Sequence, residues 1–382
     1  LVIGRAACAG AQTPSTLPSD VSVAMSNLEG ALRKALTNAQ LVALDTDVVL
    51  SRSTPADRAA LGTRYLTFDV DRPVTAYVMC FVHDRNKKQQ DPQQTRPPFW
   101  LAEQGWEQTK QPVIVQTREF AVYSKRFEAG TVGIGMHSFD SDGPQHLFVA
   151  VKAVDGGAVA IANPPPRAKI DVLSKGKQVH ADRAELITGL PPELDGAVSI
   201  RPHSTMGRVT KLIGKYRLTK SPATRAPDFV TLTWSDDPRT TQTIQWRTNT
   251  DVTAFVVDIT EGGKAVTTQL ASMQLVEEPT TLNQPAVHRY TVTVGDLKPG
   301  TTYRYAVREA HTADVGASGE FTTAPAGDEP FSFVYVGDAQ NGLDEVGKLL
   351  NEVQARHPEA RFYLVAGDLE HHLSRCVQRL FD

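Results

Sequence analysis

From Leu66 to Val151, and again from Val230 to Thr323, the apolar residues of this chain return mostly at every second position, in short runs separated by Gly, Pro and Asp. A side chain on a strand alternates between the two faces of its sheet, so a repeat of two marks strands with one face buried. Leu66, Phe68 and Val70 alternate with Thr67 and Asp69, Pro73 breaks the run, and Ala76, Val78 and Cys80 resume it. Val113-Ile114-Val115, Phe120 to Tyr123 and Leu147 to Val151 continue the pattern. Many short alternating strands between turn residues predict a β-sandwich over residues 21–160. One helix opens this stretch, because Met25, Leu28, Leu32, Ala35 and Ala39 recur at helical spacing around Gly30.

The chain has 382 residues, too many for one core, so several domains are expected. Residues 1–20 read as a disordered tail or the remnant of a secretory signal, since Ala9-Gly10-Ala11 fits a small-residue cleavage pattern. Pro164-Pro165-Pro166 stiffens the chain and ends the first sandwich. Residues 161–225 form a connector or small subdomain, 226–326 a second sandwich and 327–382 the start of an α/β domain. A net charge of −3 gives no basis for a nucleic-acid partner, and no apolar run is long enough to span a membrane. The three cysteines, Cys8, Cys80 and Cys376, form neither a disulfide framework nor a zinc cluster, and Cys80 reads as a buried small hydrophobe. Trp100 and Trp106 precede the strand at 113. They read as a lid over one end of the core, or alternatively as a platform for a carbohydrate. His137 and His146 read as surface or turn residues.

The second sandwich is clearer. Strands are expected at 230–234, 243–247, 254–257, 290–294 and 303–305, closing at Phe321. Leu297-Lys298-Pro299-Gly300-Thr301-Thr302-Tyr303 places a tight turn before a strand-opening tyrosine, the corner at which a hydroxyl bonds back to upstream backbone. Trp246 is expected between the sheets.

At Phe331 the pattern changes. Phe331 to Val336 is almost wholly apolar, as in a parallel strand buried on both faces. Leu343, Val346, Leu349, Leu350 and Val353 then follow helical spacing until Pro358, and Phe362 to Ala366 makes a second buried strand. Each strand runs into a Gly-Asp pair, Gly337-Asp338 and Gly367-Asp368. If the strands are neighbours, the two carboxylates leave one end of the sheet together, where ligands bind in open α/β sheets. So placed they repel unless a cation lies between them, and a pair of metal ions is the natural solution.

Residues 227–326 resemble a fibronectin type III module, specifically the one that precedes the catalytic domain in purple-acid-phosphatase-like enzymes. Gly337-Asp338-Ala339-Gln340 and Gly367-Asp368 resemble the first two motifs of the calcineurin-like metallophosphoesterases. The resemblance implies that Asp338 ligates one metal, that Gln340 stands where many members carry a histidine, and that Asp368 bridges both ions. It also implies two di- or trivalent ions of the Fe, Zn or Mn class, a small phosphate ester as substrate, in-line hydrolysis by activated water, and a secreted or periplasmic location. His371 stands where purple acid phosphatases carry a tyrosine. The family's later histidine motifs would follow residue 382, so this chain alone is expected to be inactive. A second expectation is an exported carbohydrate- or polymer-binding sandwich protein with a decayed catalytic domain.

Overall fold

A computed structural model describes residues 18–90, 92–140, 147–179, 184–201, 210–337 and 343–366. They fall into two compact units, 18–217 and 218–366.

The first unit opens with α1 (Ser19–Ala35), which buries Val21, Ala24, Met25, Leu28 and Leu32. Three short helices follow: α2 (Asn38–Val42), α3 (Thr46–Leu50) and α4 (Pro55–Thr63). Each starts at a side-chain cap. Thr37 and Thr54 form capping boxes with Gln40 and Asp57, and Asp45 accepts from the Val48 N–H at 2.8 Å. Strands β1 (Leu66–Val70), β2 (Val74–Asp84), β3 (Glu107–Gln108), β4 (Val113–Val115), β5 (Arg118–Phe127), β6 (Gly130–Ile134), β7 (Leu147–Ala153), β8 (Ile161–Ala162), β9 (Lys169–Val172), β10 (Ile187–Gly189) and β11 (Val198–Arg201) make two sheets, with α5 (Pro92–Thr95) and α6 (Phe99–Glu103) between β2 and β3. One sheet has the order β6-β1-β8. The other runs β10-β4-β5-β2-β7-β11-β9, with β3 against β5. Strands from the stretch read as a connector, β9 to β11, therefore extend the same sheet as β2, β5 and β7. Their alternation is too short to show in sequence, since β10 spans Ile187–Gly189 and buries only Ile187.

Trp100 is fully buried and meets Trp106 edge to face, with centroids 5.6 Å apart. Its indole N–H donates to the Met136 carbonyl at 2.7 Å. Both rings are buried, and neither offers an exposed stacking platform.

The second unit is a sandwich of two four-stranded antiparallel sheets followed by a parallel pair. Its strands are β12 (Asp228–Thr233), β13 (Gln242–Thr248), β14 (Phe255–Glu261), β15 (Lys264–Leu270), β16 (Ser272–Glu277), β17 (Ala286–Val294), β18 (Thr302–Glu309) and β19 (Val315–Thr322). The orders are β12-β13-β17-β16 and β15-β14-β18-β19. Between the sheets lie Ile244, Trp246, Phe255, Val257, Ile259, Tyr290, Val292 and Tyr303. Trp246 occupies the centre, stacked on Tyr290 at 5.5 Å and edge-on to Phe255. The Tyr303 hydroxyl accepts from the Lys298 N–H at 2.9 Å, which is the tyrosine corner expected from Leu297 to Tyr303.

Strand β20 (Ser332–Gly337), helix α7 (Leu343–Arg356) and strand β21 (Ala360–Ala366) complete the described chain, and β20 pairs with β21 in parallel. The expectation of burial on both faces does not hold here. Phe331, Phe333 and Tyr335 are exposed, and no described residue from 331 to 366 is buried. Two strands and one helix cannot cover both faces of a parallel sheet, and continuous apolar character records the environment a strand suits rather than the neighbours it has.

Candidate functional site

The site residues expected from sequence, Asp338, Gln340 and Asp368, lie outside the described residues, as do Gly367, His371 and His372. What the structure describes is the backbone leading to the two aspartates. Strands β20 and β21 run in parallel, with Val334 opposite Tyr363, Tyr335 opposite Leu364, Val336 opposite Val365 and Gly337 opposite Ala366. Position 338 follows directly on Gly337, and position 368 comes two residues after Ala366. Both strands thus reach their C-terminal ends in register.

Gly337 is required by this pairing. A Cβ there would sit 2.9 Å from the Ala366 carbonyl oxygen, closer than carbon and oxygen tolerate. The two backbones therefore approach closely on the β20 side. Helix α7 is tied to the pair by the Tyr363 hydroxyl, which donates to Gln354 Oε1 at 2.7 Å. On the other face Phe333 stacks on Phe362 at 5.1 Å, and Trp234 meets Phe362 edge to face at 5.3 Å.

Among the described residues, no group of three or more His, Cys, Asp or Glu could hold a metal ion. Asp338, Gln340 and Asp368, the ligands expected from sequence, lie outside that set. An aspartate pair at one sheet end suits hard divalent or trivalent ions, and an amide oxygen at Gln340 is compatible with the same class.

Two other polar places are structural. Residues Thr46, Gln93, Arg96, Phe99, His137 and Ser138 line a small cleft in the first unit. Its polar groups are engaged: Thr46 donates to Gln93 Oε1 at 2.8 Å, and Arg96 grips Asp47 with bonds of 2.8 and 2.6 Å. His137 departs from the surface position expected of it. Both ring nitrogens are buried, and burial pushes its pKa down to about 3, leaving the imidazole neutral. Just before it in the chain, Gly133 and Gly135 lie so close to Thr63 and Trp100 that a side chain at either would collide. Cys80 is buried as expected, and burial raises its thiol far above the range in which a thiolate forms.

Residues 227–323 match the family described as purple acid phosphatase, N-terminal domain. The match is confined to the sandwich and so supports a phosphatase family resemblance there. Among solved structures, a purple acid phosphatase from yellow lupin (Lupinus luteus) seeds aligns over 78% of this chain and 54% of its own, at 10% identity and a TM-score of 0.30. The chain thus spans about half the length of that enzyme. A redesigned β-sandwich protein aligns over 28% of this chain and all of its own, at 18% identity and a TM-score of 0.19. The sensor domain of an anti-sigma factor from Pseudobacteroides cellulosolvens aligns over 28% of this chain and 99% of its own, at 19% identity and a TM-score of 0.19. No curated protein matches the chain. Among the described residues no helix is long and apolar enough to cross a membrane.

Proposed function

We propose that this chain belongs to an exported metal-dependent phosphoesterase of the purple acid phosphatase type, in which the sandwich precedes an α/β metallophosphoesterase domain begun by β20, α7 and β21. One observation carries the reading. A sandwich matching the purple acid phosphatase N-terminal domain is followed at once by parallel strands whose in-register ends lead to Asp338 and Asp368. In this reading the order of modules and the spacing of the aspartates belong together, since a sandwich of this kind alone says little about chemistry.

Asp338 and Asp368 would hold the metal, with Gln340 contributing an amide oxygen. Bound ions of this class neutralise phosphoryl oxygens and lower the pKa of water. The chain's own contribution is placement: Gly337 lets the strands close, so the two carboxylates start from neighbouring ends, and the substrate is a small phosphate ester.

Metal content tests this without depending on turnover. The purified chain is loaded with Mn²⁺, Zn²⁺ or Fe³⁺, desalted and analysed by mass spectrometry of the elements. At least one metal is expected to be retained, and Asp338→Asn and Asp368→Asn are each expected to lower retention tenfold or more. Equal retention in both variants, or none in the parent chain, would sink the proposal.

A further inference from the structure

A β-sandwich has four edge strands, and each is a template for pairing with another chain unless something blunts it. Three of the four here are blunted. Strand β12 follows Pro227, has a break in register between Asp228 and Thr231, and holds Phe229 at a φ of 47°. Strand β15 starts at Lys264 and meets β14 through a register shift at Ile259 and Thr260. Strand β19 contains Gly316, Gly319 and Glu320 and is offset from β18 at Val307 and Arg308.

Strand β16 has none of these devices. It pairs with β17 without interruption from Ser272 to Glu277, contains no proline, glycine or lysine, and has its one charge at the end. Met273 and Leu275 lie opposite Tyr290 and His288, so they extend the inner face of the sheet, yet 42% and 48% of their surfaces are exposed.

We propose that β16 pairs with β16 of a second copy of this chain, antiparallel about a two-fold axis at Gln274, joining two four-stranded sheets into one of eight. The register follows from the residues. Directly opposed residues share a face, so the axis must pass through a residue. Centred on Gln274, Met273 meets Leu275 of the other copy twice, Ser272 meets Val276, and the two Gln274 amides face each other. Glu277 then lies opposite Ala271, and the two Glu277 carboxylates stand about 20 Å apart, well beyond the roughly 8 Å screening length. Centred on Leu275, the strand would set Met273 against Glu277. Centred on Met273, it would lose both Met–Leu pairs. A two-fold contact of this kind closes on itself as a dimer.

The test uses the full chain. Sedimentation equilibrium across a concentration series should show the mass doubling, and Leu275→Lys should weaken the association at least tenfold. Covalent trapping checks the register in a Cys8→Ser, Cys376→Ser background. Gln274→Cys places two sulfurs across the axis at a Cα separation of about 4.5–5.5 Å, within disulfide range, and should give a linked dimer on oxidation. Ser272→Cys leaves its copies about 13 Å apart and should not link. The proposal is overturned by a monomer at every concentration, by a dimer indifferent to Leu275→Lys, or by equal linkage at 272 and 274. A dimer broken instead by Phe333→Lys would place the contact on the β20–β21 face and would likewise overturn it.

Discussion

Replacing Tyr303 with phenylalanine isolates one hydrogen bond of the second unit. Tyr303 is 1% exposed, and its ring stacks on Phe321 at 5.6 Å. Phenylalanine preserves that packing, so the change removes only the hydroxyl that accepts from the Lys298 N–H. Net loss of such a bond costs about 0.5–1.5 kcal/mol, and a fully buried orphan donor about 1–3 kcal/mol. Lys298 lies on an exposed turn, so water can reach part of the released donor and the sum settles near 1–2 kcal/mol. The neighbouring bonds, Gly300 N–H to the Ala324 carbonyl at 2.9 Å and Thr323 Oγ1 to the Lys298 carbonyl at 2.6 Å, then hold the turn alone. Amide hydrogen exchange in the full chain reads the effect locally. Protection at Lys298 should fall about tenfold, since 1.4 kcal/mol is a factor of ten. Thermal unfolding of the sandwich should come about 4–8 °C earlier per kcal/mol lost, as for a domain of about 100 residues. Tyr305→Phe is the control, because among the described residues its hydroxyl makes no hydrogen bond, and a change within about 0.5 kcal/mol is expected. Unchanged Lys298 protection in Tyr303→Phe, or equal effects of the two substitutions, refutes the assignment of the corner to that bond.

Gly135→Ala would place a methyl carbon 2.3 Å from Trp100 Nε1 and displace the indole from Met136; a loss of about 3 kcal/mol or more is expected in urea unfolding of the first unit, followed by tryptophan fluorescence. Gly337→Ala should force β20 and β21 apart and strip exchange protection from amides 332–337, and preserved protection would contradict the close approach to Ala366. Burial lowers the folded pKa of His137 to about 3 while the unfolded chain keeps about 6.5, so its stabilising contribution is complete above pH 6.5. That contribution declines by up to about 1.4 kcal/mol per pH unit as pH falls from 6.5 towards 3. His137→Gln should flatten the stability profile over that range, and parallel profiles for variant and parent would show that His137 is not the group responsible.

Much of the second unit can be read from the chain because its core strands alternate cleanly. Trp246, Tyr290 and Val292 fall inside at every second position, and the turn at Pro299-Gly300 announces Tyr303. Strands β15 and β16 escape such a reading, since edge strands leave most residues exposed and impose little pattern. The short helices α2 to α4 are written in their caps, Thr37 with Gln40, Asp45 with Val48 and Thr54 with Asp57, rather than in periodicity, because five to nine residues hold too few turns to repeat. Of the candidate site, only the approach to it can be compared: β20 and β21 were legible as parallel neighbours, while Asp338, Gln340 and Asp368 lie outside the described residues.

Alternation, caps and turn chemistry are local, and they suffice to specify where strands and helices form and which face of each is apolar. Which strands become neighbours depends on contacts between residues far apart in the chain. That is why β9 to β11 could join the sheet of β2 and β7 without a sign in their own sequence, and why the pairing order of the two four-stranded sheets appears only in the fold. Burial depends on neighbours in the same way. An apolar strand such as β20 is covered only where other elements pack on it, and His137, in the loop after β6, loses water only once residues distant in sequence such as Thr46 and Phe99 fold around the same cleft.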